Sequence, residues 1–324
     1  MEMLLLALAI AVGFIALAWS ADRFVAGASA IARALGVSSM LIGLTVVGIG
    51  TSLPEMLVSA IAALDNTPGL ALGNALGSNV ANVGLIVGTT ALLAPLAMHS
   101  RVLRREFPVL LGVVAITGLL LIDAQLSRAE GFGLLAGMIG VLIWMGWQST
   151  RSSSESDPIA REIDAALPQA QPLIQSVTQA LIALVVLLIS SRVLVWSAVG
   201  LAEQIGVSDL VIGLTIVAVG TSLPELAAAI ASVRRGDDDL AIGNIIGSNL
   251  FNLLGVLGIA AVITPFAVDG MSLARDYGIM TAFMLALVIV GFGIGRRGHI
   301  ARLEGGLLFA AFIAYQGLLF TMGQ

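Results

Sequence analysis

The hexapeptide Gly-Thr-Ser-Leu-Pro-Glu stands at 50–55 and again at 220–225, each time in the middle of a long apolar run. A second motif follows each copy: Gly-Asn-Ala-Leu-Gly-Ser-Asn-Val-Ala-Asn at 73–82 and Gly-Asn-Ile-Ile-Gly-Ser-Asn-Leu-Phe-Asn at 243–252. Both pairs are 170 residues apart (225 − 55 and 252 − 82), and the register holds without a gap from Gly36 with Gly206 to Gly88 with Gly258. Self-similarity on this scale means that the chain is one unit written twice. The residues repeated most faithfully are polar, so packing alone does not account for the repeat.

The surroundings of the motifs decide where such a unit can fold. The chain is 58% hydrophobic and 11% charged, far from the roughly 25% charged residues of a soluble domain. Apolar runs fall near 3–20, 39–63, 70–98, 107–122, 131–148, 173–200, 209–233, 240–268, 276–294 and 303–322. A spanning helix needs about 20 such residues. The expected fold is therefore all-α and integral to a membrane, with ten transmembrane helices and no large soluble domain. The first run opens Met-Glu-Met, acidic where a secretory signal carries Lys or Arg, and reads as a retained helix.

Every basic residue is Arg, and basic loops tend to stay cytoplasmic. With the N-terminus outside, Arg33, Arg101, Arg104, Arg105, Arg151, Arg161, Arg234, Arg235, Arg296, Arg297 and Arg302 gather inside, against Arg128 and Arg275 outside. Both termini are then outside, and the 149–171 linker is a short cytoplasmic loop. Residues 1–148 and 172–324 form two five-helix repeats, carrying the paired motifs at 43–88 and 213–258. Five is odd, so the second repeat is upside down relative to the first. Inverted repeats of this kind recur in secondary transporters, with the site near the midplane. The scattered charge does not suit nucleic acid. With no Cys, disulfides and thiolate chemistry are excluded.

Pro54 has no N–H for the carbonyl of Gly50, and Pro224 none for Gly220, so helices 2 and 7 must break or kink there. A break at membrane depth is tolerated only where it packs against protein or lines a cavity or ion site. Glu55 and Glu225 follow directly, and an intramembrane carboxylate implies a partner cation or proton. Thr51 shares a helix face with Glu55, Thr221 with Glu225, Ser78 with Asn82 and Ser248 with Asn252. These are hard oxygen donors of the kind Ca²⁺ collects in groups of about 6–8. Gly73, Gly77, Gly243 and Gly247 read as close helix-packing steps. Asn74, Asn79, Asn244 and Asn249 read as ties for loose backbone groups.

These two segments resemble the alpha repeats of the calcium/cation antiporter superfamily, in its prokaryotic sodium/calcium exchanger branch. The resemblance implies a compact core of spans 2, 3, 7 and 8, past which long tilted helices 1 and 6 slide, in a prokaryotic plasma (inner) membrane. It implies Ca²⁺ ligation by Glu55 and Glu225 with backbone oxygens of Thr51 and Thr221. It implies Na⁺ sites drawing on Ser52, Ser222, Ser78, Ser248, Asn82 and the carbonyls of Gly48 and Ala218. The superfamily's best-described prokaryotic pattern has Asp where this chain has Asn252, which leaves two core carboxylates rather than three.

The expected function is exchange of Ca²⁺ for Na⁺ by alternating access, with Ca²⁺/H⁺ or other cation/proton exchange as the alternative. A cation channel or an intramembrane enzyme fits less well. An inverted pair of Glu is not a symmetric selectivity ring, and His99 and His299 fall at loop ends. No cofactor and no obligate protein partner is expected; the partners are membrane lipid and the transported cations. The Asp157, Glu162 and Asp164 of the linker and the Asp237, Asp238 and Asp239 turn read as solvated charge. Trp19, Trp144, Trp147 and Trp196 read as an interfacial belt, and Asp22, Arg23 and Arg192 as snorkelling or paired charges.

Overall fold

The computed structural model describes residues 2–66, 68–98, 102–152, 172–204, 218–267, 270–293 and 298–322, and over these it is almost wholly helical. The 149–171 linker and the start of the seventh apolar run therefore lie largely outside the described residues.

α1 (Glu2–Leu35) is followed by α2 (Ser39–Thr51) and α3 (Leu53–Leu64). α4 begins as Pro68–Ala81, opens into a π-helical turn at Asn82–Val87 and closes as α-helix over Gly88–Leu93. α5 (Phe107–Leu120), preceded by a π turn at Val102–Glu106, and α6 (Arg128–Ser152) complete the first half. The second half runs through α7 (Leu173–Gln204), α8 (Ala218–Thr221) and α9 (Leu223–Arg234). α10 then repeats the form of α4, as Asp238–Phe251, a π turn at Asn252–Val256 and Leu257–Ile263. α11 (Gly270–Phe292) and α12 (Arg302–Met322) follow.

Local chemistry sets the helix ends. α1 stops where Gly36 takes φ +64, and the Val37 N–H reaches back to the Ala32 carbonyl at 3.0 Å. Gly236 at φ 73 ends α9 in the same way, and its counterpart 170 residues earlier, Asn66, holds φ 55. α6 starts on a capping box: the Ser127 N–H donates to Glu130 Oε2 at 2.7 Å, while the Glu130 N–H donates to Ser127 Oγ at 3.2 Å. The first apolar run ends near residue 20, but α1 continues to Leu35. At about 1.5 Å per residue, α1 and α7 are each longer than a hydrocarbon core of about 30 Å. They must tilt or protrude.

Among the described residues, six helices are long and apolar enough to cross a membrane: Met3–Leu35, Gly69–Leu93, Arg128–Trp147, Leu173–Leu201, Asp238–Ile263 and Leu273–Phe292. The α2–α3 pair, bent by 43°, is a seventh if it counts as one span. Two of these spans are central. The most apolar stretch of Asp238–Ile263 is 89% buried and that of Gly69–Leu93 78%, against 22% for α1. Apolar side chains gain little from leaving lipid for protein, so close backbone approach holds such spans together. A Cβ on Gly243 would fall on the carbonyl of Met40, and one on Gly247 on that of Leu44. These two glycines let α10 lie directly on α2, as their spacing predicts, whereas a Cβ on Gly73 or Gly77 would meet no described residue within 4 Å.

α1 and α7 lie along each other, with Gly27 against Ala180. Their apolar contact with the rest includes a cluster in which Phe24, Ala28 and Ile31 pack with Ile42, Val47, Ala228 and Leu240. Two short antiparallel ladders staple the halves at their edges. β1 (Leu96–Ala97) pairs with β4 (His299–Ile300), and β2 (Gln125–Leu126) with β3 (Phe266–Ala267).

Candidate cation site

Both Pro-Glu motifs break their helices at the expected place. Ser52 stands between α2 and α3 at φ −84, ψ 3, and Ser222 between α8 and α9 at φ −89, ψ 5. Each proline then opens a new helix, where its missing N–H costs nothing. Each glutamate sits in a first turn, where the helix dipole favours a carboxylate. The carbonyl orphaned by Pro224 has found a donor: Ser191 Oγ on α7 reaches Gly220 O at 3.0 Å. Ser191 carries no sequence signal, because its repeat counterpart is Ala21.

The breaks face each other across the two halves. Glu55 is 1% exposed and Glu225 2%. Ser52 Oγ donates to Glu225 Oε1 at 3.2 Å, so a side chain from the first break touches the carboxylate of the second. The single proton of the Thr51 hydroxyl is shared between the Val47 carbonyl of its own helix at 3.0 Å and Asn244 Oδ1 of the other half at 3.1 Å. Asn244 Nδ2 in turn donates to the Glu225 carbonyl at 3.4 Å, and Asn74 Nδ2 makes the same bond to the Glu55 carbonyl at 3.0 Å. Asn74 and Asn244 thus tie backbone groups, as expected. Asn79 and Asn249 do not; they receive the amides of Asn252 and Asn82 instead, each at 3.1 Å. The signal for them was their place in the repeated Gly-Ser-Asn, but the repeat gives equivalence and not the partner.

The π turns at Asn82–Val87 and Asn252–Val256 open on the two asparagines of the site, a common place for this distortion. The first packs against α9, which carries Glu225, and the second against α3, which carries Glu55. Ser78, Ser248, Asn82 and Asn252 are all buried, as are Ser52, Ser222 and Thr51; Thr221 is half-buried. The Gly48 carbonyl accepts the Ser52 N–H at 3.1 Å, and Ala218 is the first described residue of α8. His99 lies outside the described residues, and His299 stands exposed in β4, outside the two breaks.

The polar inventory of these buried positions is lopsided. Among the described residues, both oxygens of Glu55, Oε2 of Glu225, Oδ1 of Asn82, Oδ1 of Asn252, the hydroxyls of Ser222 and Ser248 and one donor, Asn249 Nδ2, have no hydrogen-bond partner. Buried polar atoms are ordinarily paired, and leaving one unpaired costs about 1–3 kcal/mol. Nearly all of these atoms are acceptors. A buried acceptor set of two carboxylates and neutral oxygens is what a hard cation binds. Among the described residues no three His, Cys, Asp or Glu side chains gather as a metal site, so neutral oxygens must supply the rest of any coordination sphere.

The sequence matches the model of the family described as sodium/calcium exchanger protein over residues 5–147 and 176–321. It is 47% identical to a putative antiporter, CaxA, of Alkalimonas amylolytica, over 98% of this chain and 100% of that protein. It is 42% identical to the inner membrane protein YrbG of Escherichia coli, over 99% and 98%. The fold is similar to the solved structure of the sodium-calcium exchanger NCX_Mj, with a TM-score of 0.83 at 31% identity, covering 98% of this chain and 99% of that one. Duplicated break motifs, a buried acceptor set and matches along nearly the whole chain agree: this protein belongs to the sodium/calcium exchanger family of membrane cation antiporters.

Proposed function

We propose that the protein exchanges Ca²⁺ for Na⁺ by alternating access, with Glu55 and Glu225 carrying the ion. The observation that carries this is the buried acceptor set joined across two broken helices by the Ser52–Glu225 bond. Ca²⁺ would take the two carboxylates with oxygens of Thr51 and Thr221. Na⁺ would take Ser52, Ser222, Ser78, Ser248, Asn82, Asn252 and the carbonyls of Gly48 and Ala218. The two cations are nearly equal in size, so one oxygen cage accepts either, and charge decides which occupancy crosses. An empty cage would drag two charged carboxylates past hydrocarbon, which is costly; that penalty enforces exchange over uniport.

The same proposal includes ten spans in two inverted five-helix repeats. The six long helices and the bent α2–α3 pair support seven of them. Helical segments at the fourth, seventh and tenth apolar runs support the others: Phe107–Leu120, Ala218–Thr221 with Leu223–Arg234, and Arg302–Met322. Reciprocal contacts at an offset of 170 residues favour the inversion, among them the Asn74 and Asn244 bonds and the two amide pairs. Both termini outside follows from the arginine bias, and an inner-membrane location from the likeness to YrbG.

Asn252 favours a second reading, Ca²⁺/H⁺ exchange, because a cage with two carboxylates is neutralised as well by two protons as by one Ca²⁺. Purified protein in liposomes, loaded with Na⁺ or set in a pH gradient, separates the two through ⁴⁵Ca²⁺ uptake. Uptake that follows the Na⁺ gradient and ignores the pH gradient supports Na⁺ coupling; the reverse result moves the assignment to protons.

A further inference from the structure

Two amide pairs cross between the halves beside the carboxylates. Asn82 Nδ2 donates to Asn249 Oδ1, and Asn252 Nδ2 donates to Asn79 Oδ1, both at 3.1 Å. The positions exchange under the repeat, since 82 + 170 = 252 and 79 + 170 = 249. All four side chains are at most 1% exposed. In each pair the donor's own oxygen, Asn82 Oδ1 or Asn252 Oδ1, is left without a partner.

An asparagine amide has an acceptor end and a donor end of nearly the same shape. A half-turn of the side chain exchanges them. Nothing in the bulk of Asn82 or Asn252 favours oxygen over NH₂ toward a cation, and the wrong end would present hydrogens to a positive charge. A carboxylate in the same place has no wrong end. The hydrogen bond from Nδ2 is what distinguishes the two orientations, and it requires an acceptor fixed on the far side. Asn79 supplies one, with its own Nδ2 turned away to Met280 Sδ at 3.8 Å. Asn249 Oδ1 supplies the other, although its own Nδ2 has no partner among the described residues.

We propose that Asn79 and Asn249 are positioning residues that hold Asn252 and Asn82 with Oδ1 kept for the transported cation, each amide ligand being oriented from the opposite half. This rests on the cation site described above. It also explains how an amide serves at position 252: the chain supplies an orienting partner in place of a second charged oxygen.

The contrary view is that the pairs are only interhelical glue of the kind common in membrane proteins. Glue would act alike whatever stands at 252. Orientation would not, because an Asp at 252 presents oxygen either way. The test is apparent Ca²⁺ affinity, read as Ca²⁺-dependent thermal stabilisation of the purified protein, for the wild type, Asn79→Ala, Asn252→Asp and the double variant. Asn79→Ala should weaken Ca²⁺ affinity about tenfold, the equivalent of about 1.4 kcal/mol, and the double variant should lie within about twofold of Asn252→Asp. Asn79→Asp, which keeps the acceptor, should not show the loss. Unchanged affinity in Asn79→Ala, or the same loss in both backgrounds, overturns the proposal. Should Asn79→Ala not fold, Asn249→Ala with and without Asn82→Asp makes the same comparison. A wild type without any cation-dependent stabilisation sinks the cation site and this inference together, whereas a wild type that binds with the alanine variants unaffected sinks this inference alone.

Discussion

Glu55 and Glu225 are held where a carboxylate is least at ease, buried and with three of four oxygens unpartnered. The protein therefore carries an energetic cost at this site that only a cation or proton relieves, as buried uncompensated charge is strongly destabilising. Glu55→Gln should raise the melting temperature of the cation-free protein, because an amide removes the charge and keeps the shape. The same change should abolish Ca²⁺-dependent stabilisation. Thermal unfolding with and without Ca²⁺ checks both, and a lower melting temperature in the cation-free variant would show that the carboxylate is better satisfied than its contacts indicate. Glu225 already receives Ser52, so Glu225→Gln should gain less stability than Glu55→Gln.

Among the helices, the determining features are breaks and close approaches. Gly247 has no room for a Cβ against the Leu44 carbonyl, so Gly247→Ala must push α10 from α2. Overpacking of this kind costs about 1–3 kcal/mol, to be read as a lower melting temperature. Ser191 serves the carbonyl that Pro224 leaves open. Ser191→Ala should therefore destabilise the wild type, by about 0.6–1.7 kcal/mol, but not a Pro224→Ala background, where the backbone N–H returns; equal losses in both would show that the serine acts otherwise. The sequence reveals the glycine step and the break, since each follows from one residue's geometry. It does not reveal Ser191, or that Asn79 and Asn249 bind amides where Asn74 and Asn244 bind carbonyls. Those partners come from the other half or from a helix without the motif, and an internal offset relates equivalent positions without saying which of them touch. The apolar run alone does not show the length of α1, which the resemblance implies, because polar residues such as Asp22 and Arg23 interrupt that run without ending the helix.

At the scale of the whole molecule, the α1–α7 pair meets the rest through an apolar cluster, the hydrogen bonds of Ser191 and Ser29 to Gly220 and Asp237, and an ion pair. Arg235 Nη2 lies 2.7 Å from Asp22 Oδ2, with the two side chains 38% and 54% exposed. The repeat-related positions, Arg192 and Asp65, carry the same two charges reversed, and among the described residues no ion pair joins them. An inverted repeat whose long helices slide past a core would alternate which of these pairs is closed. An exposed pair contributes about 0–1 kcal/mol, so Asp22→Asn should leave the melting temperature within about 4 °C while changing the transport rate at least about twofold. An unchanged rate would argue against sliding at this contact. The central claim, that one carboxylate pair carries two kinds of cargo, is tested most directly by Na⁺-gradient-driven ⁴⁵Ca²⁺ uptake into proteoliposomes containing wild type, Glu55→Gln or Glu225→Gln. The account predicts uptake by the wild type only while the Na⁺ gradient lasts, and a loss of at least about a hundredfold in both variants. Undiminished exchange in either Gln variant, or equal wild-type uptake with no gradient and no counter-ion, would contradict it.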